Sequence, residues 1–427
     1  MGRVTNIFRP TITVFLSGIV AGLFAAEVQA QSAEPLLQKV NLVYEGAFRL
    51  PQVPCGSTYA CFNYGGTAIA YDDDDNALYI VGHPYGQLTA EVSIPAPVNS
   101  STLADLNTAS IIQPFADPTE GKRNLVNLQT PNGNNIGGQV VYDGNLIVSV
   151  DSYYDGSGTQ NSSHFVRPLN LSTLGQVRGP YRVGAQYPGY VSGYMAPIPS
   201  EWQAAFGGPA ITGNCCLAIA SIQSNGPAIS VFDPAQLGVT SVTPATPLLG
   251  YPISNPLGAW SGNNGLYNGT TEITGMVFPA GTRSVLFFGR QGTGPFCYGS
   301  GTSIQSLSNT ISSTGVKECY DPANADKGTH GYPYVYQVWA YDANDLLAVK
   351  NGNKLPYQIR PYATWTFNVP LENIADKHLI GGAAYDAKNN LIYVSQMDED
   401  GTNPIIDVFK ITGASSIPSP PTDLRIH

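Results

Sequence analysis

GGTAIAYDDDDNALYI, residues 65–80, is a phrase that this chain repeats. Residues 137–148 read GGQVVYDGNLIV, and residues 381–394 read GGAAYDAKNNLIYV. Each copy holds a Gly pair, a short apolar run, a Tyr-Asp turn, an Asn and a second apolar run. Two weaker copies lie between the second and the third. One starts at Val191 (VSGYMAPIP, then CCLAIASI), the other at Ile273 (ITGMVFPAGTRSVLFFG). A unit that recurs around a whole chain predicts a radially repeated all-β fold, one sheet per repeat.

Each copy reads as a β-hairpin. The run after the Gly pair is apolar and suited to a strand, and the Asp/Asn cluster supplies turn residues that tolerate left-handed φ. A third strand follows in every unit: GQLTAEVSI, HFVRPLNL, AISVFDP, YVYQVWAYD and IIDVFKI. Four units carry a fourth: SIIQPFAD, QVRGPYRVG, ATPLLGYPI and QIRPYATWTF. The fifth ends at Ile411 without one, while LVYEGAFRL (residues 42–50) has the missing character and precedes the first Gly pair. The pattern is that of a ring whose first strand completes its last sheet, which leaves no open edge. The chain therefore resembles five-bladed β-propellers as an architecture, over residues 38–412. A six-bladed ring, with a degenerate blade in residues 292–329, is the alternative. EWQAAFGG (residues 201–208) reads as the one convincing helical turn, with Trp202 and Phe206 on one face, docked on the ring.

The N-terminus reads as a secretory signal. Arg3 and Arg9 give the positive start, residues 11–26 are mostly apolar, and residues 28–30 (VQA) form a small-residue cleavage site. Residues 1–30 are thus a signal peptide, and the mature protein is expected to be secreted or periplasmic. Residues 413–427 are a short Pro-rich tail whose PSPPTDLRI wording resembles the first strand of a fibronectin-type module. Charged residues make up only 12 % of the chain, whereas Gly (46), Pro (33) and Tyr (25) are abundant, which suits a turn-rich exported β-protein. A net charge of −10 argues against nucleic acid and anionic lipid surfaces as partners.

Six Cys in an exported chain predict disulfides. The simplest pairing is local: Cys55–Cys61, Cys297–Cys319 and a vicinal Cys215–Cys216. The Cys spacings do not form a zinc or haem set.

Propeller geometry gathers function at the face where inner strands start and second strands end. The inner-strand starts carry Tyr64, Asn135, Tyr190, Glu272 and His378. The second-strand ends carry His83, Asp151, Gln223, Arg290 and Asp398. Asp151, Glu272 and Asp398 are candidate catalytic carboxyls, since a glycosidase needs one protonated and one ionised. Arg290 could hold one of them ionised or clamp a substrate carboxylate, and His83 could act as a base near neutral pH. Tyr64, Asn135, Tyr190, Gln223, Trp260 and His378 are candidate ligand contacts. Tyr153, Tyr154, Tyr187, Tyr267, Tyr332 and Tyr334 add aromatic faces suited to sugar rings. Five-bladed propellers similar in outline include glycoside hydrolases with three acidic residues at this face, so the resemblance implies a carbohydrate-active protein, hydrolase or lyase. A non-catalytic propeller that binds glycan or a protein partner is the second reading. A quinone- or metal-dependent dehydrogenase is the third, without a tryptophan docking repeat to support it. No cofactor is expected with certainty. The run of residues 72–75 reads as turn chemistry shared with Asp143 and Asp386, with calcium as the alternative, and residues 398–401 (DEDG) are a second calcium candidate.

Overall fold

The computed structural model describes residues 1–2, 32–130, 133–214, 221–262, 265–372 and 377–413. The chain divides after Gln31, and the fold is that of the unit Ser32–His427. The segment read as a signal peptide, the Cys215–Cys216 pair and the tail beyond residue 413 fall wholly or largely outside the described residues. No helix among the described residues is long and apolar enough to cross a membrane.

The fold is all-β, of the propeller type. Five sheets with four antiparallel strands each follow one another along the chain, and Val242–Thr243 adds a short parallel strand to the second, beside Arg178–Val183. The first comprises Ile69–Asp72, Ala77–Val81, Thr89–Ser93 and Ile111–Ala116, and the second Asn134–Tyr142, Asn145–Ser152, His164–Pro168 and Arg178–Val183. The third comprises Met195–Pro197, Ala210–Thr212, Ile229–Phe232 and Ala245–Leu249. The fourth is built from Glu272–Val277, Ser284–Gly292, Tyr334–Asp342 and Ala363–Phe367. The fifth takes Ile380–Asp386, Leu391–Asp400 and Asn403–Ile411 from the end of the chain, and its outer strand, Leu42–Arg49, from the beginning. That outer strand runs antiparallel to Asn403–Ile411, from Leu42 opposite Ile411 to Arg49 opposite Ile405.

The inner strands touch in a cycle: first to second, second to third, third to fourth, fourth to fifth, and fifth back to first. An apolar core fills each of these five gaps. Successive residues of one strand serve different cores. Leu286 and Phe288 face the fifth sheet, while Val285 and Phe287 face the third. Both sides of the second strands are buried, so these read as near-continuous apolar runs, while the outer strands, such as Ala363–Phe367, alternate. Each fully buried Leu, Val or Phe contributes roughly 1.5–3 kcal/mol.

The repeated phrase has a physical reason at each position. The glycines let neighbouring inner strands approach closely. A Cβ on Gly138 would strike the Gly193 carbonyl, one on Gly275 the side chain of Ala383, and one on Gly382 the backbone of Ala68 and Ile69. Bulges interrupt the pairing at Ile136/Gly138, Ile273/Gly275 and Ile380/Ala383. The Tyr and the Asn are partners: Tyr71 donates to Asn76 Oδ1 at 3.1 Å and Tyr385 to Asn390 Oδ1 at 2.8 Å. Both Asn residues stand at left-handed φ (48° and 55°), which the turn requires.

Two features depart from the sequence reading, and a third bears on its six-bladed alternative. The second strand of the third sheet is Ala210–Thr212, ahead of the CCLAIASI run. Gly207, left-handed at the end of the helix Ser200–Phe206, turns the chain straight into it. A second helix, Ala343–Lys350, follows the fourth sheet's third strand, and its N-cap Asp342 accepts the Asn344 N–H. Residues 292–329 hold no four-stranded blade. They contribute to a small sheet of Glu318–Tyr320, Cys297–Thr302 and Lys327–His330, inserted between the second and third strands of the fourth sheet. Cys297–Cys319 staples this insert, and Cys55–Cys61 closes a loop before the first sheet, as the local pairing predicts. Residues before 38 also belong to the fold: Leu37 is buried and its N–H donates to Ser284 Oγ.

Candidate functional site

Strand register brings inner-strand starts and second-strand ends together. Asn135 stands opposite Asp151, and Glu272 opposite Arg290. Three clusters result.

The largest joins the fourth and fifth sheets. Arg290, nearly buried, donates from Nη2 to Glu272 Oε1 at 2.5 Å and from Nη1 to the Lys377 carbonyl at 3.0 Å. Lys377 Nζ lies 3.6 Å from Asp398 Oδ2. Glu272 is about one-third exposed, so its carboxylate is reachable from solvent. Burial raises the Asp398 carboxyl above the usual range, with the Lys377 charge opposing the shift. The next residue, Glu399, is pushed up to about 7 by burial, then by the carboxylates of Glu372 and Asp398. Arg290 also lies over the Tyr334 ring, 4.5 Å from its centroid, and Tyr334 donates to Asp321 Oδ2 at 2.6 Å. His330 Nδ1 meets the same oxygen at 2.8 Å. Burial works to raise Asp321, but the hydrogen bonds from His330 and Tyr334 outweigh it and hold the carboxyl below the usual range. The insert thus buttresses Arg290 from behind. His378, at left-handed φ (51°), sits with its ring 4.6 Å from that of Tyr336.

The second cluster joins the second and third sheets around Asp151. Its carboxyl is buried and accepts from Ser192 Oγ at 2.9 Å and Gln223 Nε2 at 3.1 Å. Burial drives it up to about 7, against those two hydrogen bonds. Gln223 is itself buried, and the pair therefore ties two sheets together rather than facing solvent. Tyr153, two residues on, is exposed and packs against Tyr154, with ring centroids 5.5 Å apart.

The third cluster belongs to the first sheet. His83 is buried, its Nδ1 accepts the Tyr85 N–H at 3.0 Å, and burial lowers its pKa. Tyr59, Tyr64 and Tyr85 surround its ring at 4.7, 5.7 and 5.2 Å and are all exposed. Tyr64 is tied to the fifth sheet through its N–H to the Thr402 carbonyl. The Cys55–Cys61 loop presents Tyr59.

Two sequence candidates lie apart from these clusters. Tyr190 packs on the core between the second and third sheets, and burial raises its phenol to about 12. Trp260 packs beside the core between the third and fourth sheets and leaves no room for a Cβ on Gly269. Tyr267 and Tyr334 are likewise buried. Sequence reasoning missed Lys377, Ser192, Tyr59 and Tyr85, and named Glu399 only as part of a calcium candidate. The neighbours of Lys377 and Glu399 were legible, since each adjoins a named candidate. In DEDG, Asp400 is spent on Arg49, at 2.8 and 3.2 Å, and on Gln52.

The channel between the inner strands narrows at Gly137, Gly138, Thr274 and Gly382 to a void of about 10 Å³. Toward the turn end it widens into an apolar cavity of about 260 Å³, lined by all five inner strands, Tyr71, Phe278 and Tyr385 among them. The charged clusters and this cavity occupy opposite ends.

No protein-family model matches the sequence, and no curated protein matches it significantly. Among solved structures, the chain is similar to one described under the GH130 family of mannoside phosphorylases, as a glycoside hydrolase targeting β-1,2 mannosidic linkages in Candida mannan. The identity is 10 %, the TM-score 0.42, and 91 % of this chain and 99 % of that one are covered. A GH43 endo-arabinanase from Bacillus licheniformis is similar at 10 % identity and TM-score 0.39, over 85 % and 96 %. The PQQ domain of a pyranose dehydrogenase from Coprinopsis cinerea is similar at 10 % identity and TM-score 0.36, over 89 % and 98 %. Likenesses this distant assign no activity to the chain.

Proposed function

We propose that this chain is an exported, five-bladed propeller closed by its own first strand, acting on carbohydrate at the face where the inner strands begin. The observation that carries the reading is the pair Glu272 and Asp398. They stand on adjacent sheets, joined through Arg290 and Lys377, in unlike surroundings. Glu272 is ion-paired and reachable, whereas burial favours the protonated form of Asp398. Glycoside hydrolysis needs a pair of carboxyls, one protonated and one ionised. In this reading Glu272 is the nucleophile or base and Asp398 the acid. Arg290 orients Glu272, and Asp151 positions the neighbouring sheets. Elimination from an acidic polysaccharide is the lyase form of the same proposal, with Arg290 or Lys377 receiving the substrate carboxylate.

The exposed Tyr59, Tyr64, Tyr85, Tyr153 and Tyr154 support a second reading, a glycan-binding propeller without turnover. Product release separates the two. Mature protein is incubated with a panel of neutral and acidic polysaccharides, and the mixtures are read by mass spectrometry. Hydrolysis adds water to the products and elimination does not. The enzyme reading expects oligosaccharides from wild type and none from Glu272→Gln or Asp398→Asn, with ligand retention unchanged. Retention without products, weakened by Tyr64→Ala, would favour the binding module. Neither products nor retention across the panel would overturn both.

A further inference from the structure

Three carboxyls outside the face just described converge at the turn end of the first sheet. One oxygen from each of Asp72, Asp75 and Glu91 lies within 4.8 Å of the others. Asp72 and Asp75 belong to the turn between the first two strands, and Glu91 reaches them from the third strand. Asp72 and Glu91 are buried, while Asp75 is exposed and opens the group to a cleft lined by Tyr79, Gln113 and Leu169.

Turn chemistry accounts for Asp72, whose Oδ1 accepts the Asp74 N–H at 3.1 Å. It leaves Glu91 without a reason. This side chain is 0 % exposed. Its Oε2 accepts from Gln113, and its Oε1 is buried with no partner among the described residues. None of the ion pairs among the described residues reaches any of the three carboxyls. The buried Arg167 nearby donates to the carbonyls of Asp117, Pro168 and Asn170 instead. The fifth sheet supplies an internal control. It repeats the Ala-Tyr-Asp ending, and its register runs Ala384, Tyr393, Val408 where the first sheet runs Ala70, Tyr79, Glu91. There Asp386 has both oxygens bonded by Asn389, and the strand residue is the apolar Val408. The hairpin therefore needs no acid at the position of Glu91. A buried carboxylate beside two others, with a bare oxygen, is costly unless a cation or a proton offsets it.

We propose that Asp72, Asp75 and Glu91 bind a divalent cation of the hard, oxygen-preferring class, calcium foremost. Calcium accepts six to eight oxygens in flexible geometry, so three carboxylates with water on the open side of Asp75 suit it better than magnesium, which demands a near-ideal octahedron. The ion would tie the first hairpin to the third strand. It stands at the other end of the sheet from the charged clusters, so its role is structural.

The test is calorimetric titration of chelator-stripped mature protein with calcium chloride, paired with thermal unfolding. Wild type is expected to bind one calcium ion and to unfold at a higher temperature with calcium than with chelator. Asp75→Asn, at an exposed position, should fold normally and bind at least tenfold more weakly. Glu91→Gln should do the same and, in chelator, unfold no earlier than wild type, because the charge removed has no counter-ion. Absence of binding by wild type would overturn the proposal. Undiminished binding by both variants would overturn it too, placing the ion elsewhere. Equal affinity for magnesium would overturn the choice of calcium.

Discussion

Gly382→Ala probes the reason for the repeated glycine pair. An alanine Cβ at this position would lie 2.5 Å from the Ile69 nitrogen and 3.0 Å from the backbone carbons of Ala68. Ordinary contact begins near 3.4 Å. The atoms in the way are main chain of the adjoining inner strand, so no rotamer change relieves the overlap and the two strands must part. Overpacking costs about 1–3 kcal/mol, and a backbone obstacle puts this case near the top, at about 3 kcal/mol. Unfolding entropy is roughly 2.1 cal/mol/K per residue. Over about 380 folded residues that is about 0.8 kcal/mol/K, so the midpoint should fall by about 4 °C. Differential scanning calorimetry reads the shift directly. Gly328→Ala is the control, because a Cβ there meets nothing within 4 Å and its φ is not left-handed. Equal midpoints for Gly382→Ala, Gly328→Ala and wild type would refute the close-approach account of the phrase.

Asp151 gives a pH prediction. Burial raises its folded value from 3.8 to about 7, so the folded state holds the proton more tightly than the unfolded chain. Its contribution is full below the unfolded value and is lost as pH rises from about 4 through about 7. Asp151→Asn keeps an acceptor for Ser192 and Gln223, and urea unfolding should show it losing less stability than wild type between about pH 5 and pH 8; equal losses would remove the argument. Trp202→Ala deletes a buried indole that packs on Phe206 and Phe278 and donates to the Thr282 carbonyl at 2.9 Å. A loss of about 3–5 kcal/mol is expected in the same assay, and one under about 1 kcal/mol would mean that the helix is not docked.

The strands were legible where burial on both sides writes an unbroken apolar run, as at residues 285–288. They were illegible where packing, not pattern, decides. Ala210–Thr212 is three residues long and shows no period, so the more apolar run after it drew the assignment. The insert at residues 297–330 coheres through a disulfide and short polar strands, which carry no hydrophobic signal. The helix Ala343–Lys350 announced itself only through its N-cap, Asp342. At the site, register followed from the repeat, so Glu272 facing Arg290 was readable. Side-chain direction was not: Gln223 turns in to Asp151, and Tyr190 turns into a core. Glu91 was invisible because it stands within the third strand, far along the chain from the turn that carries Asp72 and Asp75.

The pairing of Leu42–Arg49 with Asn403–Ile411 also sets how the molecule answers tension. Leu42 opposes Ile411, so a pull applied ahead of the one and beyond the other acts at the same end of the ladder. The load falls on one hydrogen-bonded pair at a time and peels the strand away, instead of being shared along its length as in shear. Traction through the two ends therefore peels this seam, rather than shearing it, once the Leu37 amide has left Ser284 Oγ.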